Sequence, residues 1–275
     1  MEDQAQLLAR IATALEALAP ATSLQVKWHE DDAFVWDAGG ARGIPAITAP
    51  SLNLLRGIDK QKAAVVGNVD RLANGNPAHD MLLWGARGMG KSALLRSAVA
   101  STQDAGGNIA MVQVATDAVA SLPKLFAILA NEKRNFLVFL DDLGFAEGDS
   151  ITPRHLRSWL DGGVEARPGN VRLAVTSNRR AIIARHTSEQ DDPINPRDAL
   201  DDNLALADRF GLSLGFHNAS QEDYLDILHG YAAEYRLELD EAEALEWAKR
   251  RGARSGRIAW HFITELAGRA GKSLS

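Results

Sequence analysis

Short continuous apolar runs and apolar stripes with helical spacing alternate along most of the chain. The runs are typical of strands buried on both faces of a sheet, and stripes at three- and four-residue steps are typical of helices with one buried side. Strands are predicted at residues 33–36, 81–84, 109–114, 136–140 and 171–176, and helices at 4–19, 59–72, 92–103, 122–130 and 153–161. This alternation predicts an α/β fold built on a parallel sheet.

The segment 81–95, MLLWGARGMGKSALL, combines a buried strand, a glycine-rich turn and the start of a helix. Its turn fits the pattern G-x-x-x-x-G-K-[ST] of a phosphate-binding loop, in the strand–loop–helix context that such a loop requires. Glycines let the backbone bend around a polyphosphate, and the helix N-terminus favours the anion. We expect Lys91 to reach the β- and γ-phosphates and the Ser92 hydroxyl to bind Mg²⁺. The predicted nucleotide contacts here are Gly85, Ala86, Arg87, Gly88, Met89, Gly90, Lys91, Ser92 and Ala93.

Polar residues follow two of the predicted buried strands. Asp141 and Asp142 follow the strand at 136–140, and ligands of open α/β sheets bind at such carboxyl ends. Asp141 is the candidate Mg²⁺ ligand, and Asp142 is the candidate group that orients or deprotonates an attacking water. Asn178 follows the strand at 171–176 and is either a turn former or a polar contact to the γ-phosphate and the water.

The order and spacing of these elements resemble the AAA+ ATPases, in which the position of Asn178 is called sensor 1. The segment 205–214 is similar to the arginine-finger region of AAA+ replication initiators, because Arg209 and Phe210 precede a last strand. Arg257, at the start of the final predicted helix, matches the sensor 2 position.

This resemblance covers residues 51–270 and implies a P-loop NTPase αβα sandwich with strand order 5-1-4-3-2 and a small C-terminal helical lid. It implies ATP or ADP and Mg²⁺ as ligands, and Arg257 as a nucleotide contact. It also implies a homo-oligomer, because an arginine placed like Arg209 reaches the phosphates of an adjacent subunit. The catalytic residues implied are Asp142, Asn178 and Arg209.

A narrower likeness is carried by four segments, 54–62, 83–88, 141–143 and 176–180. Together they resemble a bacterial family of uncharacterised ATP-binding AAA+ proteins, a domain-of-unknown-function group, which implies a fold and a nucleotide but no client. Gly57 and Ile58 lie in the first segment. Two interpretations of this pair stay open, a contact between Ile58 and the nucleotide base, or a helix start with a buried isoleucine.

Asp142 departs from mainstream AAA+ proteins, in which Glu is usual at this position. An aspartate is one methylene shorter, so its carboxylate would sit roughly 1.5 Å further from the water. This difference predicts slow hydrolysis, which suits a switch better than a motor.

Three parts are predicted, namely an N-terminal helix and extension at 1–50, the ATPase core at 51–216 and the helical lid at 217–275. The extension either covers the core or binds a partner. The acidic segment 181–203 is either a solvated loop or an interaction loop. In the lid, the predicted helix starts are Ser220 with Asp223 as a variant capping box, Asp240, and Ser255.

Composition fits a soluble cytoplasmic protein. The chain has 275 residues and no cysteine, which leaves neither disulfides nor thiolate metal sites. No apolar run approaches the length of a membrane span, and the N-terminus has no signal-peptide core. A net charge of −6 gives no support for a globally basic nucleic-acid binder. For a basic cluster at 249–257 three interpretations stay open: binding of the nucleotide phosphates, binding of a nucleic acid, or stabilisation of helix C-termini. Phosphate binding is preferred for Arg257 only.

The leading prediction is an ATP-binding protein with slow hydrolysis that drives the assembly or remodelling of an unidentified protein client. Two alternatives stay open, a nucleic-acid-linked ATPase of the initiator or loader kind and a non-hydrolysing nucleotide-sensing scaffold. A small-molecule kinase is a weaker alternative, because it does not need the arginine and sensor positions.

Overall fold

The structure is a computed structural model that describes residues 26–143, 159–160, 167–178 and 208–274. Three predictions lie wholly or largely outside these residues: the helix at 4–19, the helix at 153–161 and the acidic segment at 181–203. Of the second helix, Trp159 and Leu160 are described and are helical. No helix in the described ranges has the length and apolar character needed to span a membrane.

The described strands form one sheet. They are β1 (Ala33–Asp37), β2 (Gly40–Ile44), β3 (Met81–Gly85), β4 (Ile109–Val114), β5 (Asn135–Leu140), β6 (Val171–Ser177) and β7 (Leu212–Phe216). The order across the sheet is β2-β1-β4-β5-β6-β3-β7, and all neighbours are parallel except the antiparallel hairpin of β1 and β2. The run β7-β3-β6-β5-β4 has the predicted order 5-1-4-3-2, which is therefore confirmed.

The described helices cover both faces of this sheet. They are α1 (Asp59–Ala73), α2 (Lys91–Asp104), α3 (Leu122–Leu129), α4 (Gln221–Glu234), α5 (Glu241–Arg250) and α6 (Gly256–Arg269), with short 3-10 turns at Leu52–Leu54 and Thr116–Ser121. Leu83 of β3 packs into the hydrophobic cluster of α1, α2 and the C-terminal helices, whereas Leu82 packs into the cluster of α3. Because consecutive side chains of a strand point to opposite faces, a continuous apolar run serves both clusters.

The hairpin of β1 and β2 extends the sheet beyond β4. The predicted strand at 33–36 is confirmed, and its Trp36 Nε1 donates a hydrogen bond to Ser121 Oγ at 2.7 Å. Arg134, at the start of the β5 region, donates to two backbone carbonyls that precede β1. The described part of the extension thus packs on the core, and a boundary at residue 50 stays a prediction.

The C-terminal helices begin at the predicted caps. The Ser220 hydroxyl accepts from the Asp223 N–H at 3.0 Å, and the Asp223 carboxylate accepts from the Ser220 N–H at 3.0 Å, which completes a capping box. Asp240 caps α5 and Ser255 caps α6 through similar bonds. The buried faces of α4 and α6 join the same cluster as α1 and α2, so lid and core share one hydrophobic interior.

Candidate nucleotide-binding site

The predicted phosphate loop connects β3 to α2. Gly85, Gly88 and Gly90 have φ values of +117°, +75° and +87°, a region that side chains disfavour and glycine adopts freely. A Cβ at Gly85 would also lie 2.1 Å from the carbonyl oxygen of Phe216 at the end of β7. The same oxygen accepts from the Ala86 N–H at 2.7 Å. The end of β7 therefore fixes the point where the loop leaves the sheet.

Lys91, the first residue of α2, links the loop to the end of β6. Its Nζ donates to the carbonyl oxygens of Gly85 at 2.9 Å and Ala86 at 2.8 Å, and to Oδ1 of Asn178 at 3.0 Å. Burial lowers the pKa of the Lys91 ammonium, and the carboxylates of the two aspartates after β5 oppose this shift. The predicted lysine and the predicted sensor amide are thus in direct contact.

Ser92 and Asp141 form a pair of oxygen donors beside the loop. The Ser92 hydroxyl donates to Asp141 Oδ1 at 2.6 Å, and the hydroxyl of Thr176 on β6 donates to the same oxygen at 2.7 Å. Hydroxyl and carboxylate oxygens are ligands that Mg²⁺ accepts, and Mg²⁺ usually completes its shell with water and substrate phosphates. This donor set therefore fits Mg²⁺. Thr176 was not predicted, because its role depends on β6 lying beside β5.

Asp142 is held by three neighbours. Its N–H donates to the Thr176 hydroxyl at 2.8 Å, and its φ of +49° places it in the left-handed region, where aspartate is one of the tolerated residues. The Asn178 amide nitrogen donates to Asp142 Oδ1. Arg87 Nη2 of the phosphate loop lies 3.7 Å from Asp142 Oδ2. Both candidate acids are thus connected to the loop and to β6.

The lid contacts the phosphate loop directly through the N-terminus of α6. The Arg257 N–H donates to the Gly88 carbonyl at 3.0 Å. A Cβ at Gly88 would lie 2.8 Å from Ser255 Oγ, so only glycine allows this approach. The positive charges of Arg257 and Arg87 act to lower the pKa of Lys91, which places three cations around one loop.

These residues line one cavity of about 670 Å³ between the core and the lid. Of the predicted site residues, its walls contain Ile58, Gly88, Met89, Gly90, Lys91, Ser92, Ala93, Asp141, Asp142, Asn178 and Arg257. The far end is apolar, with Leu55 from the segment before α1 and Ile227, Tyr231 and Trp260 from the lid. The rings of Tyr231 and Trp260 lie 5.2 Å apart. These lid aromatics were not predicted, since their helical spacing is also typical of core residues.

Five predicted site residues are not part of the cavity wall, namely Gly57, Gly85, Ala86, Arg87 and Arg209. Gly57, with φ +73°, precedes α1, and a Cβ there would lie 3.4 Å from the Asp223 side chain of the lid. Arg209 is half-buried in the turn before β7 and does not line the cavity.

The strand order, the glycine loop between β3 and α2 and the polar residues after the neighbouring strands β5 and β6 define the AAA+ class of P-loop ATPase folds. Within this class, the chain belongs to the family described as protein of unknown function DUF815, whose model matches residues 29–270. No curated protein matches the chain significantly by sequence.

Solved structures agree with this fold. The RuvB Holliday junction branch migration motor of Thermotoga maritima matches with TM-score 0.50 and 19% identity, over 81% of this chain and 66% of that chain. The Orc1 protein of Aeropyrum pernix in complex with DNA gives TM-score 0.54 and 16% identity, over 80% and 65%. Hsp104 in its closed state with ATPγS and casein gives TM-score 0.51 and 15% identity, over 80% and 38%. The chain thus spans from 38% to 66% of the length of these proteins. The likeness concerns the fold.

Proposed function

We propose that this protein binds ATP with Mg²⁺ in the cavity and hydrolyses the terminal phosphate slowly. One observation carries the proposal: Asn178 contacts both Lys91 and Asp142, and Thr176 joins Asp142 to Asp141, which contacts Ser92, so the lysine, the two acids and the metal-binding hydroxyl form one network. Phosphoryl transfer is catalysed mainly by positioning and by electrostatic stabilisation, which a rigid network supports.

Each of these residues has one task in the proposed reaction. Lys91 places its charge between the β- and γ-phosphates, and Ser92 and Asp141 hold Mg²⁺, which neutralises phosphate charge when bound. Asp142 accepts a proton from a water whose oxygen bonds to the γ-phosphorus. The bond from that phosphorus to the β–γ bridging oxygen breaks, and its electron pair leaves with ADP. The products are ADP, inorganic phosphate and the released proton.

The apolar end of the cavity supports the base-contact interpretation of Ile58. Ile58 is buried, and its Cδ1 lies in van der Waals range of a Cβ built on Gly90, at 3.7 Å. Leu55 and the lid residue Tyr231 line the same cavity. A purine between such side chains would have both of its faces removed from water, which favours binding.

The contact between the Gly88 carbonyl and the Arg257 N–H supports a switch function. Because a bound triphosphate occupies the loop, it changes the surroundings of both residues, and α6 carries the change into the lid. We infer that the nucleotide state controls a homo-oligomer that assembles or remodels a protein client. Arg209 then acts on the phosphates of the adjacent subunit.

A second function, a nucleotide-sensing scaffold without turnover, is favoured by one observation. Both oxygens of Asp142 are engaged, one by Asn178 and one by Arg87, and the side chain is shorter than the usual glutamate.

Calorimetry with Mg-ATP and an ATPase assay at increasing protein concentration test the proposal. Lys91→Ala removes a charge-assisted contact and should weaken ATP binding by about tenfold to a hundredfold. Lys124→Ala, an exposed lysine on α3, is the matched control and should bind like wild type. Equal ATP affinity of the two variants would refute the phosphate-loop assignment.

The same ATPase assay separates the alternatives. Stimulation by DNA that is lost at high salt would favour the nucleic-acid-linked ATPase. Tight ATP binding with no turnover at any protein concentration would favour the scaffold. A rate per subunit that rises with concentration supports the oligomeric switch.

A further inference from the structure

Arg87 carries the one charged side chain between Gly85 and Lys91 of the phosphate loop. Its Nη2 lies 3.7 Å from Asp142 Oδ2, and the two side chains are 74% and 52% exposed. A loose pair between exposed side chains contributes little to folding. Asp142 is held independently by Asn178 and Thr176, so the structure does not need Arg87 to position this acid.

The backbone that carries Arg87 is fixed on both sides. The preceding Ala86 N–H donates to the Phe216 carbonyl at 2.7 Å, and the following Gly88 carbonyl accepts from the Arg257 N–H at 3.0 Å. The exposed guanidinium group is therefore carried on a backbone that is hydrogen-bonded on both sides, next to the acid that we propose activates the water. Lys91, in contrast, is buried and bonded to three oxygens of the loop and of Asn178.

We propose that Arg87 is a catalytic residue that exchanges its ion pair with Asp142 for the γ-phosphate of ATP in the same subunit. This inference rests on the proposed function. The exchange has two effects. It frees Asp142 Oδ2 to accept the proton of the water. It also places the two parallel N–H donors of the guanidinium group on the γ-phosphate oxygens, where charge is redistributed during transfer. Arg87 itself gives up no proton. After hydrolysis the phosphate departs and Arg87 returns to Asp142, so the pair distinguishes ATP from ADP.

The charges around the loop support this exchange. The carboxylates of Asp142 and Asp141 act to raise the pKa of Lys91, and the cations Arg257 and Arg87 act to lower it. A terminal phosphate carries more charge than one carboxylate and offers three oxygens to a guanidinium group. Arginine binds such a group through two parallel hydrogen bonds, which a single carboxylate oxygen at 3.7 Å does not provide.

Binding measurements test the inference without relying on turnover. Calorimetry compares ADP, ATPγS and ADP with aluminium fluoride, each with Mg²⁺, for wild type and Arg87→Ala. We expect ADP affinity to stay within about twofold, and ATPγS affinity to fall about tenfold, the effect of one lost hydrogen bond to a charged group. The aluminium fluoride complex, which mimics the transferred group, should lose about a hundredfold because both donors of the fork are lost.

Two further variants sharpen the comparison. Arg87→Lys keeps the charge without the fork, so it should recover part of the ATPγS affinity and little of the aluminium fluoride affinity. Arg250→Ala is the matched control, since Arg250 is also 74% exposed and pairs with a carboxylate, that of Glu246 at 3.2 Å, but lies on α5 rather than in the phosphate loop. It should bind all three ligands like wild type.

The outcomes separate this inference from the proposed function. Wild-type protein that binds neither ATPγS nor ADP would refute the proposed function. Wild-type protein that binds both, together with an Arg87→Ala variant that prefers ATPγS over ADP as strongly as wild type, would overturn the role of Arg87 alone. An equal loss for ADP and ATPγS would also overturn it, because the contact would then not involve the γ-phosphate.

Discussion

Replacing Thr176 by valine tests whether one hydroxyl positions both acids of the site. Thr176 is 1% exposed, and its hydroxyl donates to Asp141 Oδ1 at 2.7 Å. The oxygen of the Thr176 hydroxyl in turn accepts from the Asp142 N–H at 2.8 Å. Valine has a similar shape, so the variant removes these two bonds without leaving a large cavity. The Asp142 N–H then loses its partner, and Asp141 keeps only Ser92 as a donor.

The expected magnitudes follow from this geometry. An unsatisfied donor costs about 1–3 kcal/mol, and the lower half of that range applies because Asp142 is partly exposed to water. We therefore expect the free energy of unfolding to fall by about 1–2 kcal/mol. Loss of a group that orients a metal ligand costs about tenfold to a hundredfold in metal affinity, so the Mg²⁺ concentration for half-maximal ATP binding should rise about tenfold.

Thr102→Val is a control matched in burial and chemistry. Thr102 is 6% exposed and donates to Asp70 Oδ1 at 2.7 Å, outside the nucleotide cavity. Urea unfolding should show a smaller loss for Thr102→Val, whose hydroxyl accepts no backbone N–H, whereas Mg²⁺ titrations in the presence of ATP should change only for Thr176→Val. An equal Mg²⁺ dependence of both variants would refute the reasoning, because the acids would then be positioned by the backbone alone.

Three further predictions concern the acids, the lid and the oligomer. Asp142→Asn should keep Mg-ATP affinity and abolish turnover, whereas Asp141→Asn should weaken the Mg²⁺ dependence of binding; unchanged hydrolysis by the first would assign the base to another residue. Burial raises the pKa of Tyr224 from 10.0 to about 12, so the unfolded chain loses this proton first and stability falls as pH rises from 10 to 12. The fall is roughly 2–3 kcal/mol, and urea unfolding of Tyr224→Phe should lack it; identical pH profiles would contradict the assignment. Arg209→Ala should bind ATP with little hydrolysis and regain activity when mixed with Lys91→Ala, and a mixture without activity would contradict action between subunits.

The elements with strong apolar patterns could be predicted from the sequence, and the second strand of the hairpin could not. β5 is a continuous apolar run apart from its first residue and β6 is largely apolar, and the structure has them as strands within one residue of prediction. β2 has the sequence GARGI, with a single large apolar residue and two glycines. Its extended conformation comes from the ladder with β1, from Ala33 opposite Ile44 to Asp37 opposite Gly40. A strand that depends on its partner leaves little signal in its own residues.

The candidate site divides in the same way. Lys91 and Asp141 have positions that the loop pattern and the strand end define, and these are local signals. Thr176 becomes informative only once β6 pairs with β5, since its hydroxyl reaches across to the two acids. Trp260 has the spacing of a core residue, and only the packing of the lid against the loop places it in the cavity wall. Contacts between distant segments carry the part of the site that sequence patterns lack.

The short side chain of Asp142 and its backbone conformation have to be considered together. The expected displacement of its carboxylate assumes the backbone that a glutamate would have at this position. Asp142 instead has φ +49°, and its N–H is bonded to Thr176, so the direction of the side chain is set by the turn as well as by its length. Asn178 and Arg87 both reach the carboxylate in that position. Under the proposed mechanism, the exposed pair with Arg87 costs little to exchange, so the reason to expect slow hydrolysis stays the short reach of Asp142, which its side-chain length and the turn set together.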